Sequence, residues 1–309
     1  MSKRSSFYTD DQGRVRYIGG RKKAHPASDI PLTAPHREKG NFITTDDGRV
    51  VFIGGPSSGG GTSSSTSLLN KLANNSMSIV EGKTYKKGDY PSVKVNIDEA
   101  GDAILKENVI REGKSASHGV PSTAQSEVAA YEVAQELGYN NLVPPTTFRG
   151  NASIQAWIDD SVRSDKYTKS LAKKFGPVDE DSVKQVLIFD ALTDSSDRHP
   201  GNMIIAQVGG KSRVIAIDNG LAFGANNVAG LRDARDTVRL TLTYDGYTLE
   251  DTHISKPRLT SSDLNPVRRL LSTPTFWESM KASIGERATT WMHERAEYMV
   301  TPDFLEAEW

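Results

Sequence analysis

The stretch SSDRHPGNMIIAQVGGKSRVIAIDNGLAFG, Ser195 to Gly224, constrains the fold of this chain more than any other segment. Met203 to Val208 and Ser212 to Ile217 are apolar, β-branched runs, and Gly209-Gly210-Lys211 between them reads as a short glycine turn joining two antiparallel strands. Counted from a centre at residue 210, Asn202 and Asp218 stand opposite each other at the open end of that hairpin. Asp197 precedes Asn202 on the loop that enters the first strand. Two oxygen-bearing side chains so placed suit Mg²⁺, which takes one or two protein groups and completes its shell with water and phosphate oxygens. Any one of these three is ordinarily a turn residue. Their convergence on one hairpin, with Arg198 and His199 between them, points to chemistry.

The spacing Asp-x-x-x-x-Asn is also that of the protein-kinase catalytic loop, where the Asp accepts the substrate hydroxyl proton and the Asn holds metal. A site of that kind needs a strand lysine and an acidic partner on a helix, and both are readable upstream. In VKVNIDEAGDAILKENV, Val93, Val95 and Ile97 alternate, Asp98 to Gly101 form a turn, and a second strand runs through Ile104-Leu105-Lys106. Lys106 is the candidate phosphate-binding lysine. STAQSEVAAYEVAQELG opens with Ser122 and Gln125 in capping-box spacing and closes at Gly138, which marks a helix. Its apolar stripe takes Ala130, Val133, Ala134 and Leu137, with Glu127 one turn earlier on the same face. A carboxylate on a buried face needs a partner, which Lys106 supplies; the alternative is an acidic residue simply favoured in the first turn of a helix.

DRHPGN and IDNGLAF resemble the catalytic and metal loops of the phosphatidylinositol 3/4-kinase-like superfamily, and IDNGLAF is most similar to type II phosphatidylinositol 4-kinases and their bacterial and phage relatives. SEVAAYEVAQELG followed by VPPT, and NASIQAWIDD, are similar to further segments of the same family and stand in the same order, over roughly residues 90 to 225. The resemblance implies an α+β, two-lobed protein/lipid-kinase-like fold with ATP in the cleft. It implies Asp197 as the catalytic Asp, with Arg198 and His199 in its loop, and Asn202 and Asp218 as the metal ligands. It implies Lys106 and Glu127 at the phosphates, and Gln155, Trp157 and Ile158 in the segment that links the lobes and offers backbone groups to adenine. Read alone, NASIQAWIDD is an amphipathic strand with a core Trp. Two positions depart from the wider pattern: Ala216 stands where many members carry a His, which the type II branch lacks too, and Asn219 replaces Phe.

The rest of the chain divides into a tail and a C-terminal helical part. FYTDDQGRVRYIGG (7–20) recurs as FITTDDGRVVFIGG (42–55), each copy reading as a small hairpin that cannot bury a core by itself. These repeats are expected to dock a partner, for instance by adding a strand to a sheet edge, or to be a duplicated tail without function; GRVVFIGG resembles segments of phage-encoded proteins. GPSSGGGTSSSTS (55–67) nearly satisfies the phosphate-loop pattern, but Gly61 stands at the Lys position, so it reads as a Gly/Ser linker. The folded part is expected from near Ser76, giving a flexible tail over 1–75, an N-lobe over 76–158 and a C-lobe over 159–309. VDEDSVKQVLIFDALTDSSD reads as a C-lobe helix, as does the stripe Trp277, Met280, Ile284, Ala288, Trp291 and Met292, taken as core. Arg232 to Thr243 is placed as a substrate-facing segment by analogy of position.

Composition excludes several classes. A net charge of −1 lacks the basic surplus of a nucleic-acid binder. Cysteine is absent, which removes disulfides, thiolate metal sites and cysteine nucleophiles, and the six histidines include no close metal-binding pair. No apolar run reaches the ~18 residues of a membrane span, the first residues show no signal-peptide apolar region, and a cytoplasmic protein is expected. A mean hydropathy of −0.50 fits a chain partly outside any packed core. These readings converge on an ATP- and Mg-dependent phosphotransferase, a protein Ser/Thr kinase whose acceptors include its own 56–78 segment. The alternatives are a phosphoinositide lipid kinase, an adenylylating transferase, and a non-catalytic adaptor or phage structural component.

Overall fold

The structure, a computed structural model, describes residues 6–9, 15–18, 42–44, 50–52, 65–85, 92–108, 122–167, 173, 175–195, 197–223 and 257–306. The chain divides into two compact units, Met1–Pro35 and His36–Trp309. In the first, β1 (Ser6–Thr9) pairs antiparallel with β2 (Val15–Ile18), Phe7 opposite Tyr17 and Thr9 opposite Val15. In the second, β3 (Phe42–Thr44) pairs with β4 (Val50–Phe52), Phe42 opposite Phe52 and Thr44 opposite Val50. The repeated sequence therefore repeats its backbone register as well. The spacer 21–41, most of the Gly/Ser linker and Arg232 to Thr243 lie outside the described residues.

The larger unit packs earlier in the chain than the expected start near Ser76. Helix α1 (Ser65–Asn74) buries Leu68, Leu69 and Leu72, a spacing that lines one helical face. Arg149 donates to Leu72 O at 2.7 Å and Asn75 O at 2.6 Å, satisfying carbonyls that the end of α1 leaves without intrahelical partners. The Ser/Thr run before it has linker composition, but the leucine stripe is enough to seat a helix.

Five antiparallel strands follow: β5 (Met77–Tyr85), β6 (Ser92–Ile97), β7 (Gly101–Lys106), β8 (Thr146–Arg149) and β9 (Ala152–Ala156), in the order β5-β6-β7-β9-β8. Alternation in β6 and β7 sends Val93, Val95, Ile97, Ala103 and Leu105 to the buried side. Helix α2 (Thr123–Glu136) packs on this sheet. The Ser122 side chain accepts from Gln125 N at 3.3 Å and donates to Gln125 Oε1 at 3.0 Å, so the expected cap forms with the side chains bonded to each other. At the other end Gly138 takes a φ of 79°, Gly138 N donates to Gln135 O and Tyr139 N donates to Ala134 O, the paired bonds of a left-handed cap.

After β9 the chain enters a second layer. Strands β10 (Ser161–Arg163), β11 (Met203–Val208) and β12 (Lys211–Ala216) form an antiparallel sheet. Helix α3 (Glu180–Thr193) packs on β12, and α4 (Asn265–Leu271), α5 (Pro274–Ile284), α6 (Glu286–Met299) and α7 (Pro302–Glu306) follow, with α6 packed against α3, α4, α5 and α7. The architecture is α+β and two-lobed. Trp277, Met280, Ile284, Ala288 and Met292 are buried as the stripe requires, but Gly285, at a φ of 87°, breaks it into two helices. Trp291 is only partly buried, with the Arg287 guanidinium 4.4 Å from the centre of its ring. The C-terminal helices also hold α2: Arg269 Nη2 donates to Leu137 O at 3.2 Å, and Ser283 Oγ donates to Glu132 Oε2 at 3.4 Å. Among the described residues no helix is long and apolar enough to cross a membrane.

Candidate active site

The site forms where the β11–β12 hairpin meets β7 and α2. Val208 lies opposite Lys211, so the turn has two residues, Gly209 and Gly210, with φ of 58° and 78°. A tight turn with positive φ at both positions twists with its strands, and glycine takes it without penalty. Lys211 thus belongs to the strand, and the register differs by one from the expected count: Met203 faces Ala216, and Ile217 N donates to Asn202 O at 3.0 Å. Asn202 is therefore opposite Ile217 and not Asp218. Asp218 follows the end of the ladder and adopts a φ of 58°, a left-handed conformation sparsely populated by residues other than glycine.

From there the Asp218 carboxylate reaches Lys106. Lys106 Nζ lies 2.5 Å from Glu127 Oε1 and 3.3 Å from Asp218 Oδ1, joining the end of β7, the first turns of α2 and the loop after β12. A Cβ on Gly220 would stand 3.5 Å from Glu127 Oε1 and 3.4 Å from Thr123 Cβ, so the loop passes close against α2. Burial penalises the Lys106 ammonium, but Asp218 and Glu127 outweigh that penalty and hold its pKa above the ordinary lysine value. The ammonium holds the Asp218 carboxyl below the usual aspartate range, against a smaller burial effect. Burial raises the Glu127 carboxyl; the Lys106 charge offsets this in part, and the Asp218 charge adds to it. Two carboxylates thus share one ammonium.

Asp197 sits at the exposed mouth of the site, and Asn202 Nδ2 donates to its carbonyl at 2.9 Å and to Oδ2 at 3.4 Å. Desolvation raises the Asp197 carboxyl, Asp218 raises it further, and His199, Arg198 and Asn202 oppose. His199 is exposed, and its Nδ1 accepts from Gly201 N at 2.9 Å, closing the turn between Asp197 and Asn202. A Cβ at Gly201 would lie 2.7 Å from both the Arg163 guanidinium and the His199 ring, so that turn is built around a glycine.

Arg198 differs from the expectation that places it with Asp197 in the chemistry. Its guanidinium is buried and donates to Asp190 on α3, to the carbonyls of Asn202 and Ile217, and to Asn219 Oδ1. Asp190 and Asn219 were not anticipated. The available signal for Asp190 was a single carboxylate inside the apolar run VLIFDAL.

The linking segment is engaged within the protein. Gln155 is buried and donates from Nε2 to Thr146 Oγ1 at 2.9 Å. Trp157 N donates to Asp102 O at 2.9 Å, and the Lys94 ammonium stands 4.3 Å from the centre of the Trp157 ring. Ile158 packs against Ile204, Ala206, Val208 and Ile215, tying the segment to the hairpin core.

The oxygen donors fit a hard cation of low protein coordination. Among the described residues no three His, Cys, Asp or Glu gather into a metal cage. Asp218 nonetheless offers an anionic carboxylate with 59% of its side chain exposed, and Glu127 Oε2 is buried with no hydrogen-bond partner. Mg²⁺ is commonly held by one or two carboxylates together with substrate phosphates, without a dedicated protein cage.

No protein-family model matches the sequence, and no curated protein matches it either. Among solved structures, the Golgi casein kinase with Mn/ADP bound is 16% identical at a TM-score of 0.44, over 76% of this chain and 74% of that one. A Helicobacter pylori proinflammatory kinase, CtkA, is 12% identical at a TM-score of 0.40, over 72% of this chain and 92% of that one. The Rio2 kinase of Chaetomium thermophilum, in an ADP/Mg²⁺-phosphoaspartate complex, is 12% identical at a TM-score of 0.40, over 78% and 72%. Likeness of this degree transfers no activity to the chain, and the functional reading rests on the site itself.

Proposed function

We propose that the protein is an ATP- and Mg²⁺-dependent phosphotransferase, a protein Ser/Thr kinase of the phosphatidylinositol 3/4-kinase-like type. The observation that carries the reading is Lys106 held between Glu127 and Asp218, partners 21 and 112 residues away in sequence, beside the loop that bears Asp197 and Asn202. Lys106 neutralises phosphate oxygens and Glu127 fixes its position. Asp197 orients the acceptor hydroxyl and takes its proton, and its raised pKa suits a base near neutrality better than an ordinary aspartate would. Asn202 and Asp218 would hold Mg²⁺, which supplies charge neutralisation between phosphate oxygens. Ile158 and the backbone around it line the adenine side. Catalysis of this kind is positioning plus charge stabilisation.

The proposed acceptor is a protein hydroxyl, with the Ser/Thr-rich 56–78 segment among those within tethered reach; α1 takes up Ser65–Asn74 of that segment. The longest unbroken basic run, Arg21-Lys22-Lys23, is shorter than the 4–8 Lys/Arg usual for binding anionic lipid, and the hairpin repeats are proposed to dock the protein partner. Mg²⁺-ATP should raise the melting temperature, because a ligand of the native state stabilises it by mass action. Asp218→Ala should abolish the metal-dependent part of that rise, and an unchanged rise would remove the metal assignment. Labelled ATP supplied with and without phosphoinositide vesicles separates the acceptors, and label entering lipid alone would defeat the protein-kinase reading.

A further inference from the structure

We infer that Asp190 is a positioning residue for this site, acting through Arg198 to hold the Asp197–Asn202 loop and the Asp218 loop in one fixed relation; the inference rests on the phosphotransfer reading above. Asp190 lies inside α3 with no exposed surface, and Arg198 is 2% exposed. Arg198 Nε lies 3.2 and 3.1 Å from the two Asp190 carboxylate oxygens, and Nη2 lies 3.1 Å from Oδ1. The other side of the same planar group donates to Asn202 O at 2.8 Å, to Ile217 O at 2.6 Å and to Asn219 Oδ1. Those acceptors are the backbone of one proposed metal ligand and the two residues that flank the other. A guanidinium has its donors in a rigid fork, so seating it on Asp190 fixes where both loops sit relative to α3 and to each other.

Stability alone does not account for the pair. Desolvating two charges costs about what their attraction returns, and apolar side chains of similar volume commonly serve a core as well or better. Holding two loops at set positions is a task that apolar packing does not perform, since it offers no donors to carbonyls. A lysine at 198 would keep the charge but bring a single flexible point donor in place of the fork.

The test uses the full-length protein with Asp190→Asn, which keeps the shape and removes the charge, and Arg198→Lys, which keeps the charge and removes the fork. Melting without ligand, affinity for a fluorescent ATP analogue without metal, the Mg²⁺ concentration that half-saturates the effect on nucleotide binding, and turnover are measured for each. Both variants are expected to melt cooperatively and bind metal-free nucleotide within about twofold of the parent, while the Mg²⁺ requirement rises about 10-fold and turnover falls about 10- to 100-fold, the usual scale for groups behind a metal ligand. A lower melting temperature with an unchanged Mg²⁺ requirement in both variants would show that the pair serves the fold alone and would overturn the inference. Loss of cooperative melting in both would overturn it equally. A parent protein that neither binds Mg²⁺-ATP nor transfers phosphate defeats the phosphotransfer reading first, and the inference with it, an outcome separate from a variant that behaves like an active parent.

Discussion

Asp197 and Asp218 carry the same side chain, yet the structure pushes them in opposite directions. Asp218 is lowered by the Lys106 ammonium, so its contribution to stability is present above the unfolded value of 3.8 and is lost as pH falls through its lower folded pKa. Asp197 is raised by desolvation, so its contribution is complete below 3.8 and is lost as pH rises through its higher folded pKa. At neutral pH an ionised Asp197 is therefore a small liability to the fold. Asp197→Asn should melt at or above the parent temperature at neutral pH while turnover drops by about 10²–10⁴-fold, the range for loss of a general base. In the parent, the acidic limb of kcat/KM should lie above the 3.8 of an ordinary aspartate. A melting temperature that falls in step with activity would make Asp197 structural. Lys106, Glu127, Asp197, Asn202 and Asp218 were singled out in the sequence by their joint spacing, a lysine ending a strand, a carboxylate on a buried helix face and three oxygen-bearing side chains about one hairpin, and not by any one of them alone. Asp190 and Asn219 were not, since their function depends on a contact with Arg198 that no local pattern encodes.

Among the elements, the β11–β12 hairpin was legible and its register was not. Alternation and paired glycines announce two strands, but a turn of two residues and one of three leave the same composition behind. Gly209 and Gly210 are exposed, and a Cβ at Gly210 would meet nothing within 4 Å, so only its φ of 78° restricts the choice of residue. Gly210→Asn should leave melting and activity within about 0.5 kcal/mol of the parent, because Asn tolerates that conformation. Deleting Gly210 leaves too few residues for the turn, so the strands must pair one position out of step and the faces of β12 invert. Activity should be lost on deletion and kept on substitution, as a turnover assay would show; equal behaviour would mean the tip adapts. Helix α1 was missed because a Ser/Thr-rich approach masked a short leucine stripe. Leu72 has no exposed surface, and Leu72→Ala should cost about 2–5 kcal/mol in denaturant unfolding, whereas a disposable tail would give no change.

At the scale of the whole molecule, the helix that carries Glu127 is held from two sides, by the sheet of its own lobe and by helices that come last in the chain. Arg269→Ala removes the donor to Leu137 O and should cost about 1 kcal/mol. Amide exchange across 123–137 should then quicken and nucleotide affinity weaken together; exchange unchanged from the parent would show that the contact does not restrain the helix. The bonds that close this layer span 132 residues from Arg269 to Leu137, 151 from Ser283 to Glu132 and 103 from Arg295 to Leu192. During synthesis, at roughly 5–20 residues per second, the sheet, α2 and the hairpin all leave the ribosome before the partners that cover α2 exist. A nascent chain halted before residue 265 would already carry Lys106, Glu127, Asp197 and Asp218, with the far face of α2 uncovered. Contacts of such separation form late because the intervening chain must be ordered first. The proposed site should therefore become competent only when α4 to α6 arrive, so that a chain halted before them stays inactive although every side chain assigned to the site is present.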